Sequence, residues 1–227
     1  MELNIVKLIL YIMGKLINGP MGTVVGKVGG YVTYFLNGEL VTRAIGVVDH
    51  WSDAQYAVQM KTALITALLK PVKPVIRKGM KYTPKPKRTW TAYSMATSAN
   101  NPAAITGEYP ELKIDYGKVV LSLGDIPAPL NPKVQLFDGR ISFTWEADLD
   151  RQGADVDDRV MCVAYFPETY QSFNVTDGAK RGEEYQEIKL PSFTEEMKIE
   201  TYICYFSEDR KQSSNSVYLG QLTWTKD

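Results

Sequence analysis

Two dipeptides constrain this chain more than any other feature. Asn37-Gly38 and Asp138-Gly139 each sit between runs of β-branched and aromatic residues. A two-residue type I′ turn needs positive φ at both central positions, and Asn-Gly and Asp-Gly supply that at little steric cost. The flanks, 31–36 with 39–45 and 133–137 with 140–145, carry residues that fit a pleated, half-buried surface. The sequence therefore predicts one tight hairpin in each half. Further strands are predicted at 112–116, 118–123, 159–166, 184–190, 197–206 and 216–225, at the spacing of a sandwich.

Between these β-rich regions lies a minor helical part. Ser52 has the character of an N-cap, and Asp53 puts an anion in the first turn. Ala57, Met60, Leu64 and Leu68, widened by Ala63 and Ala67, give a helical stripe over 53–69, which Pro71 ends or kinks. A short helix is predicted over 72–78, stopped by Gly79. Residues 90–104, rich in Ala, Ser and Asn, fit a helix or an ordered arm. The stretch Ile126-Pro-Ala-Pro-Leu-Asn-Pro132 has the composition of an extended linker. The expected organisation is thus a mainly β fold with a Gly-rich hairpin and basic helical region over 1–125, a linker over 126–132, and a sandwich over 133–227.

The charges divide unevenly. Residues 1–107 carry 13 Lys and Arg against 4 Asp and Glu, and residues 108–227 carry 13 against 22, so a net charge of zero hides formal halves of +9 and −9. No acid lies between Asp53 and Glu108, whereas nine basic residues run from Lys61 to Arg88. Eight of them, Lys70, Lys73, Arg77, Lys78, Lys81, Lys85, Lys87 and Arg88, precede Trp90 closely and form with it a candidate nucleic-acid or partner-binding set. Such a run can neutralise phosphates while aromatics stack on unpaired bases. It can equally pair with the acidic half of a neighbouring copy, or be a solvated face.

Other motifs point to no chemistry. Gly22-Thr-Val-Val-Gly-Lys27 has three residues between its glycines and Val28 after the lysine, where a phosphate loop needs four and a hydroxyl. Asp148, Asp150 and Gly153 fall at the first, third and sixth places of a calcium loop, but Arg159 stands where a bidentate Glu belongs, which favours a solvated acidic loop. His50, the single histidine, has no partnered nucleophile in any known motif. Cys162 and Cys204 are either two buried small apolar residues or one bridge. No enzyme, cofactor or metal is expected. The apolar run 5–13 is too short for a membrane span of about 20 residues and makes a poor secretory signal, so a strand, or a true start at Met13, is expected there. Location in the cytoplasm or a virion follows from that reading.

Residues 133–226 resemble a fibronectin type III or related immunoglobulin-like sandwich. The resemblance rests on Ile141-Ser-Phe-Thr-Trp145, Val160-Met-Cys-Val-Ala-Tyr165, Leu190-Pro191, Tyr202-Ile-Cys-Tyr-Phe206 and 213–220. It implies that Trp145 seeds the core between the sheets and that Tyr202 buries its ring and bonds its hydroxyl at a corner. From Met13 onward the chain also resembles an uncharacterised family common in Bacteroidota. The shared features are Leu16-Ile-Asn-Gly19, Gly26-Lys-Val-Gly29, a hairpin ending near Arg43, Gln59 and residues 68–74. That family often has Trp-Lys-Gly where this chain has Leu36-Asn-Gly38, and no function travels with it.

These readings lead to one expectation and one alternative. The expectation is a non-enzymatic structural or assembly protein, a homo-oligomer or a phage or prophage virion component, self-associating through its basic and acidic halves. The alternative is a nucleic-acid-binding protein using residues 61–90.

Overall fold

The computed structural model describes residues 12–17, 22–46, 50–84, 89–193 and 195–225. The chain is mainly β with a minor helical part. It forms two compact units, residues 1–51 and 52–227.

The first unit is an antiparallel meander of β1 (Ile12–Ile17), β2 (Thr23–Val28), β3 (Tyr31–Leu36) and β4 (Glu39–Ala44), in that order across the sheet. The β3–β4 turn has Asn37 at φ 51° and Gly38 at φ 87°, the positive values a type I′ hairpin requires. Of the apolar run 5–13, only Ile12 and Met13 fall within the described residues, where they open β1. The phosphate-loop-like segment is β2, which leads into a second hairpin rather than a helix.

The second unit begins with α1 (Asp53–Leu69). Ser52 and Gln55 form a reciprocal capping box at its start. Its buried residues are Ile65, Leu68 and Leu69. The expected stripe is therefore only partly kept: Leu68 is buried as expected, but Ile65 and Leu69 are buried beside it, Ala57, Met60, Leu64 and Ala67 are half-buried, and Ala63 is exposed. Next come α2 (Lys73–Gly79), with Pro74 in its first turn, and α3 (Ala92–Ala103), capped by Thr91 and Ser94. The 90–104 segment is thus a helix. Gly79 is needed for close approach: an added Cβ would lie 2.7 Å from Ser122 Cβ. Its carbonyl accepts from the hydroxyls of Ser122 (3.0 Å) and Ser213 (2.9 Å).

Two short strands follow, β5 (Ile105–Thr106) and β6 (Lys113–Ile114). Residues 118–123 are not the strand the sequence suggests. Leu121 and Ser122 are buried, but the segment bonds to side chains and to isolated backbone groups of Gly79 and Ser216 instead of a ladder. Asn100, buried in α3, donates to Val120 O (2.7 Å) and accepts from Val120 N (2.8 Å). Ser216 Oγ accepts from Leu121 N at 3.0 Å. These bonds satisfy backbone groups that burial would otherwise leave unpaired.

The rest is two facing sheets. One has the order β11-β8-β7, from β7 (Leu130–Phe137), β8 (Arg140–Glu146) and β11 (Tyr185–Lys189). The other has β10 (Gln171–Val175), β9 (Arg159–Phe166) and β12 (Met197–Ser207) side by side, with β13 (Gln212–Ser213) and β14 (Val217–Trp224) on the far edge of β12. Asp138 and Gly139, at φ 46° and 67°, turn the β7–β8 hairpin.

The sheet containing β9 and β12 is covered on both faces. Val160, Cys162, Ala164, Ile203 and Tyr205 point at Ile141, Phe143 and Trp145 of the other sheet. Met161, Val163, Tyr165, Tyr202, Cys204 and Phe206 point at Leu68, Leu69, Val72 and Ile76 of the helices. This explains why β9 and β12 are apolar almost without interruption: a strand buried on two faces does not alternate. The helices and both sheets form three layers of one unit. The proline-rich stretch 126–132 accordingly lies inside that unit. Ile126 is in the core between the sheets and Leu130 already belongs to β7.

Cys162 and Cys204 are both free and buried. They sit on adjacent strands but face opposite cores, so they do not bridge. Burial pushes the Cys204 thiol up to about 12 and Cys162 well above its ordinary value, which keeps both in the unreactive thiol form.

Candidate functional site

The members of the basic run fall into three sets: two with different surroundings among the described residues, and one that lies outside them.

The first group converges. Lys70 at the end of α1, Lys73 and Arg77 of α2, and Thr91, Ala92 and Tyr93 at the start of α3 line a groove of about 420 Å³. Lys73 and Arg77 are one turn apart on α2, so helical spacing puts them on one face. All three cations are exposed, and none has a carboxylate partner among the described residues. The first turn of α3 carries no acid. The groove therefore presents positive charge beside a tyrosine ring, a combination suited to an anionic group on an aromatic-tolerant ligand.

The second group is answered by the chain's own acidic half. Lys81 Nζ lies 2.5 Å from Glu208 Oε1, and Tyr82 Oη donates to the same oxygen at 3.0 Å. Lys78 Nζ sits 5.1 Å above the Phe206 ring. The hydrogen bonds from Lys81 and Tyr82 hold the Glu208 carboxyl below the usual carboxylate range, and the bond to Glu208 raises Lys81 in turn. Both side chains are exposed, so this pair contributes little to stability.

The third group, Lys85, Lys87 and Arg88, lies outside the described residues. Trp90 is half-buried and packs against the helical core, so it is not presented as a stacking platform. Sequence reasoning missed Thr91 and Tyr93. The Thr91–Ser94 capping spacing was a signal for the helix start that brings them to the groove.

The acidic loop over 148–158 has a different role from a calcium loop. Asp158 is fully buried and ion-paired to Arg181 Nη2 at 3.1 Å and to Arg210 Nη2. Arg181 is itself fully buried, its guanidinium 4.0 Å above the Tyr205 ring. Among the described residues no group of three or more His, Cys, Asp or Glu side chains is placed to hold a metal ion. Trp145 is buried between the sheets as expected, and its Nε1 donates to Arg181 O at 2.8 Å. Tyr202 buries its ring, but against the helical layer, and its hydroxyl donates to Tyr116 O at 2.9 Å, outside the sandwich, rather than at a corner of it. Among the described residues, no helix is long and apolar enough to cross a membrane.

No curated protein matches the chain. A family of unknown function, DUF6266, matches residues 16–220, which is most of its length. The chain belongs to the DUF6266 family of unknown function.

Proposed function

We propose that this chain is a non-enzymatic structural or assembly protein, a component of a phage or prophage virion of bacteria such as the Bacteroidota, whose N-terminal region completes its packing only against another chain. One observation carries this reading. Among the residues whose burial is described, 22–46 and 50 onward, the first buried side chain is Ile65. Strands β2–β4 and the first three turns of α1 bury nothing fully, whereas residues 65–225 supply two cores. Ordering a residue costs about 1–2 kcal/mol, and burial of apolar surface must offset it. A small sheet needs a covered face to persist, and a neighbouring copy supplies one.

Two further features support assembly. The formal halves of +9 and −9 favour encounter and register between copies. The arrangement of β7, β8 and β11 against β10, β9, β12 and β14 resembles a fibronectin type III domain, an architecture suited to spacing and display. The working location is the cytoplasm of the producing cell or the virion. Light scattering on the full chain should give a defined oligomer at about 0.1 M salt. Its loss at about 1 M salt would assign the contact to the charged halves. A monomer at both concentrations overturns the proposal.

A second reading, nucleic-acid binding through residues 61–90, is favoured by the uncompensated cations of the groove. Single-stranded oligonucleotide binding should weaken steeply with salt. Replacing Lys70, Lys73 and Arg77 together with glutamate should reduce the salt slope by about 2, since about 0.7 counterions are released per phosphate contact. Lys81→Glu should leave the slope unchanged, because Lys81 is already engaged by Glu208. Absence of binding at low salt removes this reading.

A further inference from the structure

We infer that copies of this chain join head to tail, the basic groove of one seated on carboxylates of the opposite outer layer of the next; this rests on the assembly reading and names its contact. The charge of the groove has no answer nearby. Lys70, Lys73 and Arg77 have no carboxylate partner among the described residues. The sequence around them supplies no surplus of acid. No Asp or Glu lies between Asp53 and Glu108, and residues 1–51 carry four Lys and Arg against three Asp and Glu. The excess of acid is in residues 108–227.

Within that half, three carboxylates are equally unanswered. Glu184 O accepts from Trp145 N at 3.3 Å, and Glu184 Oε1 accepts from Ala147 N at 2.8 Å. These bonds set Glu183 and Glu184 beside Glu146, at the end of β8. Trp145 faces the core between the sheets, so Glu146, next along the strand, points outward. Glu146, Glu183 and Glu184 are exposed, and none has a cation partner among the described residues. Neutral donors serve them instead: the Asn131 amide donates to Glu146 at 2.9 Å, and Lys180 N to Glu183 at 3.1 Å. Neighbouring acids differ in this respect, Asp148 lying 3.9 Å from Arg151 and Asp157 2.6 Å from Lys180 Nζ.

The two sets cannot meet within one chain. The groove belongs to the helical layer and the carboxylates to the β11-β8-β7 sheet, with the sheet of β9 and β12 between them. A helix is about 10 Å across and stacked sheets lie about 10 Å apart, so roughly 20 Å separates the outer layers. That exceeds the Debye length of about 8 Å at physiological salt, so neither set neutralises the other in a monomer. A second copy brings three carboxylates to three cations. A nucleic acid would answer the groove alone, leave the carboxylates unpaired, and be repelled by the formal −9 of the second half. Because the groove and the carboxylates are different surfaces, the contact is heterologous and repeats into a ring or a filament. Exposed ion pairs are individually weak, so association depends on concentration and on salt.

Sedimentation velocity of the full chain, across a concentration series at about 0.1 M and about 1 M salt, tests this, with circular dichroism to verify folding. Wild type should associate at the lower salt and disperse at the higher. Lys73→Glu with Arg77→Glu, and separately Glu146→Lys with Glu183→Lys, should each weaken association at least ~10-fold, because like charges then face each other. Glu184 stays in place because it holds Ala147 N. An equimolar mixture of the two variants should associate again, since each then offers the charge that the other lacks. A folding defect does not produce that recovery. If either variant associates as well as wild type, or the mixture stays dispersed while wild type associates, these surfaces are not the contact and the assembly reading stands without them. If the groove variant keeps association but loses binding of a single-stranded oligonucleotide, the groove belongs to the nucleic-acid reading instead. If wild type stays monomeric throughout, both the contact and the assembly reading fall.

Discussion

Replacing Asp158 with alanine is expected to destabilise residues 52–227 by about 3–5 kcal/mol, the usual effect of stranding a buried charge. Asp158 is fully buried, as is its main partner. Arg181 reaches it through Nε at 3.2 Å and Nη2 at 3.1 Å, while Arg210 Nη2 closes on its other oxygen. The Arg181 guanidinium also donates to Pro127 O at 2.9 Å and covers the Tyr205 ring, and its Nη1 has no hydrogen-bond partner. Truncating Asp158 removes the one carboxylate that compensates this guanidinium. It also leaves Arg210 tied to the loop before β9 only through Gly153 O at 2.8 Å and Asp155 at 3.9 Å. Arg181→Met should cost less, because it removes the charge itself and leaves Asp158 paired with the half-exposed Arg210. Urea unfolding followed by tryptophan fluorescence measures both. A loss below about 1 kcal/mol for Asp158→Ala would mean that the buried pair is not a strong constraint.

Leu69→Ala is expected to cost about 2–5 kcal/mol, the range for truncating a fully buried leucine. Leu69 is 0% exposed and lies in the core that α1 and α2 share with β9 and β12. The size of the effect matters less than its reach. Because the sheet holding β9 and β12 is the middle layer, melting the helical layer exposes Tyr165, Tyr202 and Phe206 as well. The helical signal and tryptophan fluorescence should therefore move together in one transition at lower urea. A helical transition that precedes an unchanged sandwich transition would show that the layers fold separately.

The parts of this architecture that were legible in the sequence are those set by local chemistry. Both hairpins follow from turn dipeptides whose φ values the structure reproduces at Asn37-Gly38 and Asp138-Gly139. The start of α1 follows from Ser52 as N-cap and Asp53 in the first turn, to which the structure adds Gln55. Residues 159–166 were legible as a strand, but their burial on two faces was not foreseen. β10 was missed because Gln171, Ser172 and Asn174 give it a loop's composition, while Phe173 and Val175 alone pack on the core. Residues 118–123 were expected as a strand because a β-branched run signals extension, not the identity of its partner. Here the partner is the Asn100 side chain. The proline-rich stretch suggested a boundary because proline reports local stiffness, whereas a boundary depends on contacts distant in sequence. The site divides the same way. Helical spacing relates Lys73 to Arg77, but nothing local relates Lys81 to Glu208, 127 residues away, or Arg181 to Asp158.

The central proposal is that β2–β4, which bury no side chain fully, gain a core by association. Amide hydrogen exchange on the full chain, at low concentration and in the assembled state, tests it most directly. Amides of β2–β4 should exchange far faster than those of β9 and β12 at low concentration and gain protection on assembly. Protection of β2–β4 equal to that of β12 in the dilute monomer, or unchanged by assembly, would contradict the account.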